Sequence, residues 1–179
     1  SVWLPQEQGD TAAPDVKFVD ALLRRRLSPL AKMVLHVAHA CAGGLPRLRL
    51  VFASRHGDLN RTMGMLRDMA AGEPLSPAAF SLSVHNAAAG IFSLFRRDNS
   101  ASTAVAAGEE TLGFALLESW CQWQAQPEQP VLMVYGDEPL PAEYAGFRAP
   151  GETAHAIAVL LAQDAEQRVA CQVTPRGAA

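Results

Sequence analysis

Between residues 28 and 124 the chain switches repeatedly between a helical period and short apolar runs. Leu30, Met33, Val34, Val37, Ala38 and Cys41 follow the i, i+3, i+4 spacing of a buried helix face. Ser28 can cap this helix, Pro29 suits its first position, and Gly43 and Gly44 end it. Residues 48–54, LRLVFAS, form a β-rich run that turns at Gly57. A second helix is expected from Asp58 or Asn60, with Leu59, Met63, Leu66 and Ala70 on one side and a stop at Gly72. Residues 76–80, SPAAF, repeat the Ser-Pro start for a short helical turn. Residues 83–95, SVHNAAAGIFSLF, then read as a helix with unusually small first turns, which lets another backbone come close, from a neighbouring element or a neighbouring subunit.

Residues 101–106 read as a strand that leads into a helix reaching about residue 124, with Leu112, Leu116, Ser119 and Trp123 on its inner side. Glu109 and Glu110 in its first turn favour the positive end of the helix dipole. Residues 131–138, VLMVYGDE, are too apolar for a half-exposed strand and suit a central parallel one. Residues 156–162 and 168–174 form two more strands, and the short polar link QDAEQ makes them an antiparallel hairpin. The first 20 residues, with Pro5, Gly9, Asp10 and Pro14, carry no clear period and read as an irregular lead-in. The order is α-β-α-α-β-α-β-β-β. Parallel strands joined by helices need cover on both faces, so the expected fold is a layered α/β sheet with helices on both faces and an antiparallel C-terminal edge.

Composition agrees with a single domain over residues 1–179, since 49% hydrophobic and 18% charged residues provide a core and leave little for long disorder. A net charge of -3 argues against a nucleic-acid surface. The most apolar runs, such as residues 131–135 and 156–162, are far shorter than the ~20 residues that span a bilayer, and the start has no signal-peptide pattern. Cys41, Cys121 and Cys171 are scattered and odd in number, which suits free thiols, buried or partly buried, in a reducing cytoplasm.

Several groups could carry chemistry. His85, beside Ser83 and Asn86, is either a base or a helix-start cap. SRHGD, residues 54–58, gathers polar side chains just past a strand end, where α/β proteins place sites, and turn residues are polar in any case. His36 and His39 are three apart but lack a third ligand, so no metal site is expected, and His155 reads as structural. Asp137 and Glu138 are adjacent on an extended chain and point to opposite sides, which makes them a poor carboxylate pair. Arg24, Arg25 and Arg26, with Arg96 and Arg97, are solvated faces or a surface for an acidic partner. No Gly-rich phosphate loop occurs, and no cofactor is implied.

The stretches SPAAFSLSVHNAAAGIFSL, STAVAAGEETLGFALLES and VLMVYGDEPLP resemble the N-terminal half of β-ketoacyl synthases, above all the short synthase-like proteins that accompany aryl polyene and related type II polyketide pathways. The similarity runs from about Arg24 to the C-terminus, and SVHNAAAG is its most specific part. The resemblance implies a thiolase-like half-fold. In active members the strand-to-helix turn reads Thr-Ala-Cys-x-x-Gly; Thr103, Ala104 and Gly108 match that frame and Val105 stands at the cysteine position. Valine has no nucleophilic atom, so no acyl thioester can form there. The family's pair of histidines, supplied by a second half-fold, has no counterpart in this stretch, and the family's first strand and helix are expected ahead of Ser1, as in a trimmed chain.

The function implied is that of a non-catalytic subunit, similar to a chain-length factor, in a heterodimer with an active β-ketoacyl synthase in the cytoplasm. Ser83, His85, Asn86, Ala88, Ala89 and Phe92 would lie at the interface and acyl tunnel. Arg24, Arg25, Arg26, Arg96 and Arg97 would face an acyl carrier protein. The alternatives are an independent acyl-thioester hydrolase or transferase using His85 or His56, and a homodimer that binds acyl groups alone.

Overall fold

The structure is a computed structural model that describes residues 1–3 and 13–163. Five strands, β1 (Val2–Trp3), β2 (Arg49–Ala53), β3 (Ser102–Val105), β4 (Val131–Asp137) and β5 (His155–Leu161), form one mixed sheet in the order β1-β5-β4-β2-β3. β2 is parallel to both β3 and β4, whereas β5 runs antiparallel to β4 and to β1. The layered α/β architecture with an antiparallel edge is therefore present. Its antiparallel part lies in the contacts of β5 with β4 and β1, while the hairpin expected with residues 168–174 falls outside the described residues, as does Cys171.

The helices are α1 (Ala21–Arg24), α2 (Pro29–Ala42), α3 (Leu59–Ala70), α4 (Pro77–Ser81), α5 (Ala87–Arg96) and α6 (Thr111–Ala125). The chain leaves β2 for β3 on one side, then crosses back over β2 to reach β4 on the other. Crossovers of one hand in opposite directions put their helices on opposite faces. Accordingly α2 and α5 pack with Leu50, Phe52, Leu132 and Val134 on one face. α6 covers Val51, Ala53, Val131 and Met133 on the other. This double cover is why β2 and most of β4 are buried along their length and read as continuous apolar runs.

Local signals place α2 as expected. Ser28 Oγ accepts the Ala31 amide at 3.1 Å, Pro29 opens the helix, and Leu30, Met33, Val34, Val37 and Ala38 are buried. Other elements differ. The lead-in is not wholly irregular, because Val2–Trp3 pairs with β5 and Val16 and Val19 join the core. The helix expected over residues 83–95 starts only at Ala87, after a turn. α3 has the expected periodicity, yet none of its residues is buried. On α6 the buried positions are Thr111, Ala115 and Ser119, and Leu112 is exposed. The helix is apolar on nearly every side, so its sequence alone could not tell which side faces inward. Cys121 likewise lies exposed on it, against expectation, while Cys41 is half-buried.

Candidate functional site

The parallel strands β2, β3 and β4 end together, and the candidate chemistry gathers at these carboxyl ends, where open α/β sheets place their sites. Val105 closes β3, and its carbonyl accepts the Ser54 amide at 3.3 Å. The chain then turns through Ala106, Ala107 and Gly108 into α6. Gly108 has φ +59, a conformation that costs little only without a Cβ. The buried Thr111 hydroxyl braces the turn, accepting the Ala107 amide at 2.9 Å and donating to the Gly108 carbonyl at 2.7 Å. The Val105 side chain is half-buried and packs on the cluster under α6.

Beside this turn, β2 and β4 are clasped through a carboxylate. Asp137 Oδ1 accepts the Ser54 hydroxyl and the Arg55 amide, both at 2.8 Å, and Oδ2 accepts the Tyr135 hydroxyl at 2.6 Å. The Gly57 amide donates to Ser54 Oγ at 2.9 Å. Burial first, then the Asp137 hydrogen bond and charge, push the Tyr135 hydroxyl far above its ordinary range and keep it a donor. Glu138 points elsewhere: its carboxyl is raised mainly by burial, with the charges of Asp58 and Asp137 adding and Asn60 and Arg61 opposing. The adjacent carboxylates thus do separate work, as an extended chain requires.

His85 reaches across from the turn before α5. Its Nε2–H donates to the Ser54 carbonyl at 2.8 Å, and its ring lies edge-on to Phe52 with centroids 5.6 Å apart. Gly57, at φ +60, lets the β2–α3 turn come against this ring, since a Cβ there would lie 3.1 Å from His85 Cδ2. The imidazole therefore ties two turns together. Among the described residues no hydroxyl is hydrogen-bonded to His85 or to the exposed His56, so neither is paired with a nucleophile. His36 Nδ1 meets the backbone of Asp15, and His39 stacks on Phe18 with centroids 3.9 Å apart, so the two are used separately. His155 Nδ1 donates to the Thr153 carbonyl at 2.8 Å.

The expected interface segment divides in two. Ala88, Ala89 and Phe92 are buried in the chain's own core against α2. The small size of Ala88 and Ala89 serves the approach of α5 to α2. Val84, Asn86, Gly90 and Leu94 are the exposed residues of this stretch, while Ser83 and His85 are half-buried. The arginines also part. Arg24, Arg25 and Arg26 stand before the N-terminus of α2, whereas Arg96 and Arg97 close α5 near Leu45, past the far end of α2. Arg96 donates to the Leu45 carbonyl and lies over the Phe92 ring at 5.4 Å.

Two features escaped the sequence. Arg49, buried on β2, caps the end of α6 by donating to the carbonyls of Gln122, Gln126 and Gln129 at 2.8, 2.9 and 2.9 Å. The second is a bare surface. Among the described residues β3 ends the sheet, and its odd-numbered residues turn their backbone groups toward β2, as the bonds from Leu50 to Ala101 and from Ser54 to Val105 show. Ser102 and Ala104 therefore turn theirs outward. Beside this edge α6 exposes Leu112, Phe114, Leu117 and Trp120, the last at 51%. The all-round apolarity of α6 is the sequence signal that goes with this exposed apolar face.

A doubly covered α/β sheet with a strand-to-helix turn shaped like a nucleophile's mount, entered from a valine at the strand end, defines a thiolase-like class of domain. The chain belongs to the β-ketoacyl synthase, N-terminal domain family, whose model matches residues 1–178, so the similarity also covers the segment before Arg24. Among solved structures it is similar to a chain of "Ketosynthase (ApeO) in Complex with its Chain Length Factor (ApeC) from Xenorhabdus doucetiae", at 26% identity and TM-score 0.70, over 83% of this chain and 63% of that one. It shares the fold of a chain of the ishigamide ketosynthase/chain length factor, at 20% identity and TM-score 0.60, over 79% of this chain and 46% of that one. It thus spans less than two thirds of either matched chain. Among curated proteins no significant relative was found. No helix among the described residues is long and apolar enough to cross a membrane.

Proposed function

We propose that this chain is a non-catalytic, ketosynthase-like subunit that pairs with an active β-ketoacyl synthase in the cytoplasm and helps shape the tunnel for its growing acyl chain. The turn after β3 carries the reading. Gly108 stands where the resemblance puts the turn's glycine and Thr111 braces it, while Val105 stands where the resemblance puts the cysteine. An alkyl group cannot attack a thioester. The likeness to a ketosynthase solved with its chain length factor supports a synthase partner.

The pairing surface assigned here is the edge of β3 left open among the described residues, with the outer face of α6. Unpaired strand groups call for another strand, and an exposed apolar helix face calls for cover. Val84, Asn86 and Gly90 are the residues of the 83–92 segment left to meet the acyl chain. An acyl carrier protein is assigned to the Arg24–Arg26 end alone, because Arg96 is engaged within the chain.

The test is co-expression with the ketoacyl synthase encoded nearest to it, followed by size-exclusion chromatography with light scattering. A stable one-to-one species is expected. Separate elution of the two chains would sink the pairing, and turnover of an acyl thioester by the isolated chain, lost in His85→Ala, would favour the hydrolase instead. Tunnel shaping is tested at Gly90, where an added Cβ meets nothing within 4 Å. Gly90→Leu should leave the pair intact and shift product length.

A further inference from the structure

Beside the N-terminus of α2 lies a depression of about 350 Å³ lined by Arg25, Arg26, Arg61, Ser76, Ala78, Ala79 and Leu82. Its size falls at the lower end of small-molecule sites. A narrower hollow of about 20 Å³ adjoins it, sharing Arg26, Arg61 and Leu82 and continuing onto Leu27, Leu30, Phe52 and Ile91. The basin is thus basic at the rim and apolar below.

The three arginines are held differently. Arg61 has a side chain only 16% exposed, donates from Nε to Asp58 Oδ2 at 2.9 Å and from Nη2 to the Arg26 carbonyl at 2.7 Å. Its fork is oriented before any ligand arrives, and N–H groups remain to spare. Arg25 and Arg26 are exposed, and their side chains form no ion pair among the described residues. Asp58 offsets one charge of three. A chain of net charge -3 therefore concentrates positive charge at this opening. Guanidinium forks match phosphate oxygens in pairs, and a dianion uses this surplus better than a carboxylate does.

We propose that Arg25, Arg26 and Arg61 form a receptor for a phosphate ester on a short apolar stem, the phosphate held by the guanidiniums and the stem laid on Ala78, Ala79 and Leu82. The same chemistry could come from a free organic phosphate or from one carried on a protein arm. The carried form rests on the synthase-subunit reading above; the free form does not.

Calorimetric titration of the purified chain at low salt with inorganic phosphate, hexyl phosphate and hexanoate tests it. Hexyl phosphate should bind saturably and at least about tenfold more tightly than either of the others. The double variant Arg25→Gln, Arg26→Gln should lose about tenfold or more of that affinity, with an unchanged melting temperature because both side chains are exposed. Absence of saturable binding up to about 10 mM, equal affinity for hexanoate, or full affinity in the double variant overturns the proposal. Adding an acyl carrier protein with and without its phosphorylated arm then separates the sources. Competition only by the armed form identifies the carried phosphate, and saturable hexyl phosphate binding without such competition identifies the free one.

Discussion

Gly136 sits in β4 where α2 crosses closest to the sheet, and an added Cβ would lie 2.5 Å from Val34 Cγ1 and 3.2 Å from the His155 carbonyl. Overpacking of this kind costs about 1–3 kcal/mol, so Gly136→Ala should lower the urea midpoint accordingly without changing the slope. Glu138 gives a prediction with a sign. Its carboxyl titrates near 4.5 when free and higher in the folded chain, where one of its oxygens is buried without a hydrogen-bond partner among the described residues. Between those two values the folded state binds more protons than the unfolded one, so its contribution falls as pH rises through the interval. Glu138→Gln should flatten stability across that window and raise it at neutral pH, as measured by urea unfolding at a series of pH values. Asp98 works in the opposite sense. Burial raises its carboxyl, but donors from Ser100 and the Leu48 amide outweigh this and hold it low, so its contribution is lost on acidification. The Gly136 and Glu138 effects were not legible beforehand, because each depends on neighbours far along the chain, whereas Asp98 is held partly by Ser100, two residues on.

At the scale of elements, legibility followed how far local chemistry settled the geometry. The Ser-Pro starts at residues 28 and 76 are capped as read, with Ser76 Oγ accepting the Ala79 amide at 3.3 Å. α5 starts later than read because periodicity does not report that the 83–86 segment is a turn pinned by His85. β3 and α6 make the sharpest test of the proposed pairing. Ala104 turns its amide away from β2, so proline there keeps the β2–β3 ladder and removes an outward donor. Ala104→Pro should leave the isolated chain folded by circular dichroism and abolish co-elution with the synthase. Trp120→Glu on the outer face of α6 should do the same and make the isolated chain less prone to aggregate. Co-elution at wild-type yield by both variants would move the interface elsewhere.

For the whole molecule, the sheet order explains why one side is finished and the other is bare. Among the described residues α2 and α5 close one face, β1 extends the antiparallel side, and β3 is left as an unpaired edge. A partner that binds the folded chain should stabilise it by mass action, by about 2.7 kcal/mol at a hundredfold excess over Kd. The melting temperature of this chain should therefore rise with added synthase, and the rise should vanish in Ala104→Pro. The order of elements from α2 to β5, the capped α2, the buried runs of β2 and β4 and the valine at the end of β3 were determined by the sequence alone, because caps, periods and the absence of a thiol are local properties. Tertiary structure alone decided that Ala88, Ala89 and Phe92 face inward, that Asp137 clasps Ser54, that Arg61 joins Arg25 and Arg26, and that α6 shows an apolar face outward. These depend on which distant surfaces meet, and an apolar residue reads the same whether its cover comes from its own chain or from another.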